Sequence, residues 1–477
     1  MRSTWVALAW VFGVAFAGVG VAIGCGSSPA TARSTADGGD AKAESAVEAE
    51  VDAGPDINQD PNVYPATHHP IPQLDYKGGP ILQHIRVVTV TFVGDPHRDS
   101  FRDFDHNILT TMWWMETAGG YCIDGGACVG NGTTVAPDGG AWIPDGSTAD
   151  AGDGYLDVEV PYDFAGTMIM DSDIQAWLQG HVAAGDFPAP DAETTYALYF
   201  PQTTVIAQGG GYPPLCVDTT NGVVLGYHYQ IALTPPGATT PITAEYAVLP
   251  YCDLGGGDDN NYTFATTTAS HELAESATDP TPEQPAFVLT TNDAWSNSLS
   301  IAGGECGDLC ENVANNTYDE SGYTVQRIWS NQAAAMSMQP CQPWTPTYYG
   351  AALRTQSQNI PAIPNVSAAH MSDGYVFVKR GESVDVVADV FSQAALPHDL
   401  LLYAGVPIYG ATDPTDLATP AALVTVTLSQ QQVNNGDGVI VTFTAPKNAG
   451  TGPNSLVLRS VLSQTDYNDW PVIVWVQ

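Results

Sequence analysis

Three side chains within residues 268–280 have the types and the spacing that bind a metal ion. His271, Glu272 and Glu275 fall on a predicted helix that Pro280 ends, because the residue before a proline disfavours helix. Residues four apart lie on one face of a helix, so His271 and Glu275 are placed to grip one ion together. Glu272 is then placed to take a proton from a water bound to that ion. The pattern predicts a metal-dependent hydrolytic site.

The pattern His-Glu-x-x-Glu differs from the zinc-peptidase helix pattern His-Glu-x-x-His only in its last ligand. A catalytic Zn²⁺ ion usually takes three protein ligands and one water, so a third ligand is needed. Asp308 and Glu305 are the candidates, and both lie in the segment 302–310. We favour Asp308, because a disulfide from Cys310 would hold it in place, and Glu305 stays as the competing ligand.

The helix that carries the motif is predicted over residues 262–278 and has an apolar stripe. The stripe repeats every four residues and consists of Ala265, Ala269, Leu273 and Ala277. We expect the stripe to pack on a sheet and the metal-binding side chains to face a cleft on the other side.

The charge balance excludes several classes of partner. The chain has 52 acidic and 13 basic residues and a net charge of −39. Nucleic acids and anionic lipid surfaces bind clustered Lys and Arg, so neither is an expected partner. Charged residues make up only 14% of the chain, while Gly, Pro and Tyr are plentiful. This composition favours an exported protein rich in loops and strands.

The N-terminus has the features of an export signal. An apolar run over residues 5–23 precedes Cys25, and the segment 22–25 resembles a bacterial lipobox, in which the cysteine is lipidated. Residues 1–25 are therefore predicted to be a lipoprotein signal peptide, with a plain signal peptide or a signal anchor as the alternative. Residues 26–62 are acidic and nearly free of large apolar side chains, which predicts a disordered linker. The protein would contact a membrane only through a lipid on Cys25, at the outer membrane or cell surface of a bacterium.

The cysteines suit an oxidising compartment. The chain has 8 cysteines, and those other than Cys25 suffice for three disulfides and one free thiol. The loop between the first two is short and glycine-rich, whereas the remaining connectivity is left open by the sequence. The predicted pairs are Cys122–Cys128, Cys216–Cys252 and Cys310–Cys341, which leaves Cys306 free.

Two folded domains are expected, residues 63–343 and residues 344–477. In the first, strands are predicted at 81–93, 195–200, 223–231, 246–251 and 323–329, and helices at 101–115 and 171–180. In the second, short strands are predicted at 376–378, 383–390, 423–428, 438–444, 455–458 and 471–475. Aspartates within residues 138–153 offer a structural Ca²⁺ site, but EF-hand spacing is missing and a solvated loop is favoured.

The motif residues also occur in an order that resembles a known family. Residues 271–280 and 304–311 are similar to segments of the phosphate-induced, or EXORDIUM, family of secreted proteins and its bacterial relatives. The similarity extends to residues 226–228 and 328–331, so that it covers about residues 78–343. Cys306 departs from the isoleucine usual in the family. The resemblance implies an extracellular protein, and the plant members have no assigned reaction.

Two functions are consistent with these features. The first is a secreted, lipid-anchored zinc-dependent peptidase, in which His271, Glu275 and Asp308 or Glu305 bind Zn²⁺ and Glu272 is the general base. His228 would stabilise the oxyanion, although a buried structural histidine is the commoner role. The alternative is a non-catalytic, EXORDIUM-like cell-surface protein that binds a glycan or protein partner. The expected fold class is an α+β zincin-like metallopeptidase domain followed by an all-β immunoglobulin-like sandwich.

Overall fold

The structure is a computed structural model that describes most of residues 57–477. The residues outside the description are 1–56, 124, 137–155, 165, 167, 203, 210–212, 218–222, 255, 256, 282, 290–294, 296–303, 312, 314, 355–374, 409–412 and 419–423. The predicted signal peptide, nearly all of the predicted linker and the aspartates considered for Ca²⁺ therefore lie outside the described residues.

The described residues contain five α-helices. They are α1 (Arg98–Ile108), α2 (Met112–Glu116), α3 (Asp171–Ala184), α4 (Asp258–Thr278) and α5 (Asn331–Ala335). Short 3-10 turns occupy Ala118–Gly120 and Asp308–Cys310. The single helix predicted at 101–115 is two helices, because the Thr111 hydroxyl accepts a hydrogen bond from the backbone N–H of Trp114 and starts α2 afresh.

The N-terminal half is built on a five-stranded sheet. The strands of this half, in chain order, are β1 (Asp75–Tyr76), β2 (Arg86–Phe92), β3 (Asp157–Val160), β4 (Met168–Met170), β5 (Thr194–Phe200), β6 (Val205–Ala207), β7 (Tyr227–Leu233), β8 (Ile242–Pro250), β9 (Phe287–Val288), β10 (Thr317–Glu320), β11 (Tyr323–Gln326), β12 (Ile328–Trp329) and β13 (Cys341–Gln342). The main sheet has the order β3-β2-β5-β8-β7, parallel except for the antiparallel edge strand β7. All seven residues of β5 are buried, as expected for a central strand covered on both faces.

The C-terminal half forms a four-stranded sheet and a six-stranded sheet. Its strands are β14 (Tyr349–Leu353), β15 (Tyr375–Val378), β16 (Ser383–Ser392), β17 (Leu400–Pro407), β18 (Leu417–Ala418), β19 (Thr425–Leu428), β20 (Gln432–Val433), β21 (Gly438–Thr444), β22 (Gly452–Ser463) and β23 (Asp466–Val476). One sheet has the order β14-β16-β21-β19, and the other has the order β15-β23-β22-β17-β18 with β20 paired to β17. The predicted β-sandwich character of this half is confirmed.

The expected fold class, an α+β zincin-like metallopeptidase domain followed by an immunoglobulin-like domain, is wrong. Strands hold 36% of the described residues and helices 18%, and the strands form many sheets in both halves. The error came from extending one metal-motif helix to a whole fold class. Alternating β-branched and aromatic residues direct twice as many described residues into strands as into helices, and that signal outweighs the one long helix.

The two halves share one hydrophobic core. The predicted boundary at residue 343 lies between β13 and β14, and the Trp295 ring lies edge-on to Trp329 on one side and Trp470 on the other, at 5.3 and 5.1 Å. Through these contacts the two halves meet in a packed interface.

Residues 57–74 form an N-terminal strap that runs from the C-terminal half to the N-terminal half. Its start is fixed at the turn between β20 and β21, where the Asn435 side chain donates to the carbonyls of Pro61 and Val63 and accepts from the N–H of Ala66. Its end is fixed by the Asn331 side chain, which both donates to and accepts from the backbone of Leu74. The strap contains residues 57–62, which the sequence had placed in the linker.

The buried carboxyl of Asp105 on α1 is expected to make the stability of the fold depend on pH, independently of any metal. Its carboxyl is fully buried under the main sheet and accepts hydrogen bonds from Thr89 and Tyr199, both at 2.7 Å. Burial raises its pKa from 3.8 to about 7, although the two hydrogen bonds lower it. Because the folded pKa is the higher one, folding favours the protonated form. Stability is therefore greatest below pH 3.8 for this group and is lost as the pH rises towards 7.

The replacement Asp105→Asn is expected to remove this loss. At pH 8 the variant should be more stable than the wild type by up to about 4 kcal/mol, the free energy that corresponds to the difference between the two pKa values. At pH 4 the two proteins should differ little. Urea unfolding at both pH values measures the effect, with Asp103→Asn as an exposed control on the same helix. Equal stability of Asp105→Asn and wild type at pH 8 would contradict it.

Candidate functional site

Helix α4 carries the metal motif and begins earlier than predicted. Asp258 and Asp259 occupy its first turn, where negative charge is favourable, and the helix ends at Thr278 before the Asp279-Pro280 pair as predicted. The predicted apolar stripe is buried. Among the described residues the other face is packed as well, because β7, β8 and β11 surround the helix and nearly every residue of 265–278 is buried.

An acid–histidine cluster surrounds the middle of α4. Its members come from β7, β8, α4, the residue that directly follows α4 and the segment that follows Gly304, and most are buried. They are His228, Glu245, His271, Glu272, Glu275, Asp279, Glu305, Asp308 and Glu311. Glu305 and Glu311 are partly exposed, which places them at the solvent side of the cluster.

His271 lies at one end of the cluster. Its Nε2 is 2.9 Å from Glu275 Oε2 and 3.9 Å from Asp308 Oδ1. The donor atoms of His271, Asp308 and Glu311 all lie within 4.8 Å of one another, as do those of His271, Glu272 and Glu275. Asp308 Oδ2 is buried without a hydrogen-bond partner among the described residues. An unpartnered buried carboxylate oxygen is costly unless a cation or proton meets it, so the donor set fits a metal ion.

His228 lies at the other end of the cluster. Its Nδ1 is 3.2 Å from Glu272 Oε2 and 3.7 Å from Glu275 Oε2. The donor atoms of His228, Glu275 and Glu305 form a second group within 4.8 Å. Glu275 therefore stands between the two histidines. Its other oxygen, Oε1, accepts hydrogen bonds from the N–H groups of Gly307 and Asp308 and is fixed by them.

Two glycines leave room for the cluster. A Cβ on Gly307 would lie 2.7 Å from His271 Nδ1 and 2.9 Å from Glu275 Oε1. A Cβ on Gly226 would lie 3.1 Å from Glu272 Oε1 and closer still to Thr268. The backbone thus approaches the acidic side chains more closely than any residue with a side chain permits.

Burial and mutual repulsion perturb the acidic groups. Burial, then the charge of Glu275, raises the pKa of Asp308 and of Glu305 well above the ordinary range. Burial raises the pKa of Glu245 to about 9 and that of Glu311 to about 7. Burial also raises the pKa of Asp279 to about 6. The cluster therefore holds protons near neutral pH that a bound cation would displace.

The groups at the centre shift in the opposite sense. Burial lowers the pKa of His271, but the charge of Glu275 and its hydrogen bond raise it more, so the pKa lies well above 6.5. Burial likewise lowers the pKa of His228, and Glu272, Glu305 and Glu275 together raise it well above 6.5. Burial raises the pKa of Glu275, but the charge and hydrogen bond of His271, the charge of His228 and the N–H of Asp308 together lower it more, so the pKa is lowered. Glu275 is thus the member most strongly held as an anion.

The structure brings all the predicted site residues into this cluster and separates the two candidates for the third ligand. Asp308 lies with His271, and Glu305 lies with His228, in two different groups of donor atoms. Glu272, the predicted general base, faces His228. Sequence reasoning did not assign roles to Glu311 or to Glu245. Glu311 stands three residues after Asp308 in the same segment, whereas nothing in the spacing of Glu245 connects it to α4.

The predicted disulfides are confirmed. Cys122–Cys128, Cys216–Cys252 and Cys310–Cys341 are bonded, and Cys306 is free and buried. The third bond closes the segment that carries Asp308 onto β13, which holds that aspartate near α4.

Comparisons with known proteins assign no family to the chain. No protein-family model matches it, and no curated protein matches it either. A crystal structure of the S-layer protein SbsC domains 4 and 5 shares 15% identity with a TM-score of 0.14, over 22% of this chain and 40% of that chain. The GspB Siglec domain shares 16% identity with a TM-score of 0.16, over 22% of this chain and 54% of that chain.

A third solved structure, the sialic acid binding region of a Streptococcus sanguinis SK1 adhesin bound to 3'sLn, shows a similarly slight likeness. It shares 14% identity with a TM-score of 0.18, over 22% of this chain and 28% of that chain. The chain spans 40%, 54% and 28% of the lengths of these three structures, in the order given. Similarity at this level assigns neither fold nor function. Separately, none of the described helices is both long and apolar enough to cross a membrane.

Proposed function

We propose that the chain is an exported cell-surface protein that binds a divalent cation, Zn²⁺ in the first instance, through His271, Glu275, Asp308 and Glu311. The observation that carries this proposal is the buried, unpartnered Oδ2 of Asp308 beside donor atoms of His271 and Glu311. His271, Asp308 and Glu311 form one group there, and Glu275, whose Oε2 lies 2.9 Å from His271 Nε2, would complete it as the fourth ligand. A closed set of four protein ligands is typical of structural zinc, whereas catalytic zinc keeps one position for water.

The non-catalytic reading has a second support in Glu272. A general base must be available to a metal-bound water, but the Glu272 carboxylate is buried and lies 3.2 Å from His228 Nδ1. When bound, the cation would neutralise buried carboxylates and tie α4 to the segment of Asp308. In this proposal the role of the metal is therefore to stabilise the fold.

The surface role belongs to the rest of the chain. We propose a lipid anchor on Cys25, kinship with the EXORDIUM-like secreted proteins, and a glycan or protein partner. The three disulfides support an oxidising compartment outside the cytoplasm. The groups of described residues that could hold a metal all lie between His228 and Glu311, which leaves the C-terminal sandwich for the partner.

Elemental analysis of the purified full chain tests the metal proposal. We expect zinc or another first-row divalent cation to remain bound after dialysis, and Asp308→Asn to hold one ion fewer per chain. Asp259→Asn removes an exposed carboxylate from the first turn of the same helix and should leave the metal content unchanged. A wild-type chain that binds no cation, before or after incubation with Zn²⁺, would contradict the proposal.

A zinc-dependent peptidase is the second candidate function. One observation favours it, because Glu272 shares a 4.8 Å group with His271 and Glu275, as a general base next to its metal would. Hydrolysis of a peptide library by wild type and by Glu272→Gln decides between the two functions. Activity that is lost in Glu272→Gln while the metal is retained would establish the peptidase. Equal absence of hydrolysis in both, with the metal bound, leaves the non-catalytic function.

A further inference from the structure

We infer that the acid–histidine cluster holds a second divalent cation, bound by His228, Glu275 and Glu305, so that Glu275 is shared between two ions. The inference rests on the proposed function, since it adds a neighbour to the cation at His271. The second position has its own three-ligand group, and its donor atoms lie within 4.8 Å of one another. Glu275 Oε2 lies between the histidines, 2.9 Å from His271 Nε2 and 3.7 Å from His228 Nδ1. A shared carboxylate oxygen in this position can contact an ion on each side.

The tautomer of His271 is set by its outer partner. The Gln326 amide donates its N–H to the carbonyl of Gly307, which turns its oxygen towards His271 Nδ1 at 3.1 Å. That oxygen accepts a hydrogen bond, so Nδ1 carries the proton in the neutral ring. The lone pair is then on Nε2 and faces Glu275 and Asp308. Metal-binding histidines are oriented in this way by an oxygen acceptor outside the metal.

His228 has the same arrangement with its nitrogens exchanged. Its Nε2 lies 3.4 Å from the backbone carbonyl of Asp279, an acceptor that favours the proton on that nitrogen. The lone pair is then on Nδ1 and faces Glu272 and Glu275. Both histidines therefore present a lone pair to the same carboxylate oxygen, Glu275 Oε2. Each such pair of facing electron-rich atoms needs a proton or a cation between them.

The number of carboxylates in the cluster favours more than one bound cation. Its ion pairs are formed by the two histidines, and among the described residues no lysine or arginine pairs with its carboxylates. Glu245 adds a further buried carboxylate, whose Oε2 has no partner in the described part of the chain. In the β7–β8 register Gln230 pairs with Glu245 and His228 with Ala247, so Glu245 and His228 are diagonal neighbours on one face. One divalent ion would leave the remaining carboxylates to be neutralised by protons.

The two ions would connect different elements to α4. The ion at His271 ties the helix to the segment of Asp308 and Glu311, and the ion at His228 ties it to β7 and to Glu305. Imidazole together with carboxylates suits first-row divalent cations such as Zn²⁺ and Mn²⁺. Glu305 and Glu311 are the partly exposed ligands, one for each ion, and mark the side from which ions enter.

Counting the ions in the full chain tests the inference. The protein is freed of metal by a chelator, titrated calorimetrically with Zn²⁺, and analysed for bound metal. Wild type should bind two ions per chain, His228→Gln one, Asp308→Asn one, and Asp259→Asn two. Loading with Mn²⁺ adds a readout that folding defects do not imitate. A carboxylate-bridged pair, with ions roughly 4 Å apart, gives an exchange-coupled resonance spectrum, and each single-site variant should show isolated ions.

The outcomes separate this inference from the proposed function. A wild type that binds one ion, lost in Asp308→Asn and kept in His228→Gln, overturns the second ion and leaves the first. A wild type that binds none overturns both. Two ions in His228→Gln would overturn the assignment of His228. If His228→Gln fails to fold, the wild-type ion count and the Mn²⁺ spectrum still decide.

Discussion

Glu275→Gln is expected to remove both metal ions at once and to cause the largest loss of stability of any single change in the cluster. The replacement keeps the shape of the side chain but removes the negative charge that stands between His271 and His228. Loss of an outer-shell partner costs roughly 10–100-fold in metal affinity, and loss of a shared ligand should exceed that for each ion. At a free ion concentration of about 100 times the dissociation constant, each bound ion stabilises the fold by about 2.7 kcal/mol.

Thermal unfolding with and without Zn²⁺ measures this effect. Wild type should gain stability from Zn²⁺, whereas Glu275→Gln should gain almost none, and Asp259→Asn should behave as wild type. In excess chelator the difference between wild type and Glu275→Gln should shrink to the loss of the pairing with the histidines. Retention of one tightly bound ion by Glu275→Gln would show that this carboxylate is not shared.

Gly307→Ala is expected to be nearly as damaging, for a steric reason. The backbone of Gly307 has a helical conformation with φ −77°, which alanine also adopts, so the added methyl group alone is at issue. Its Cβ would lie 2.7 Å from Nδ1 and 2.8 Å from Cε1 of His271, and 2.9 Å from Glu275 Oε1. Over-packing of this kind costs typically about 1–3 kcal/mol, and here it also displaces two metal ligands.

Urea unfolding and Zn²⁺ titration of Gly307→Ala test this prediction together. Gly120→Ala is the matched control, since a Cβ there meets nothing within 4 Å and no positive φ opposes it. We expect the control to be neutral and Gly307→Ala to lose both stability and metal affinity. Wild-type affinity in Gly307→Ala would show that the cluster can move aside, against the close packing seen around it.

Local features of the site could be predicted from the sequence because they depend on short-range physics. The end of α4 follows from Pro280, and the shared face of His271 and Glu275 follows from helical spacing. The predicted disulfides are also the ones that form, with Cys306 free, although the sequence left open every pairing except Cys122–Cys128.

The long-range features could not be predicted. Glu245 reaches the cluster through the register of β7 and β8, which no local pattern specifies. Asp308 and Glu305 competed for one position as third ligand, whereas the structure groups Asp308 with His271 and Glu305 with His228. The fold class failed for a related reason: a metal motif describes one helix, and sheet pairing across the chain decides the architecture.

The N-terminal strap changes where mechanical tension enters the molecule. Its first residues are bonded to the C-terminal half, with the Gln59 N–H donating to the carbonyl of Gly436 and the Asn435 side chain holding Pro61 and Val63. A pull from any attachment upstream of residue 57 therefore reaches the last sheets of the chain first. Through the strap, force would reach the main sheet beneath the acid–histidine cluster only after these hydrogen bonds break. Under tension the hydrogen bonds of the strap would therefore break first, and the cluster would stay intact.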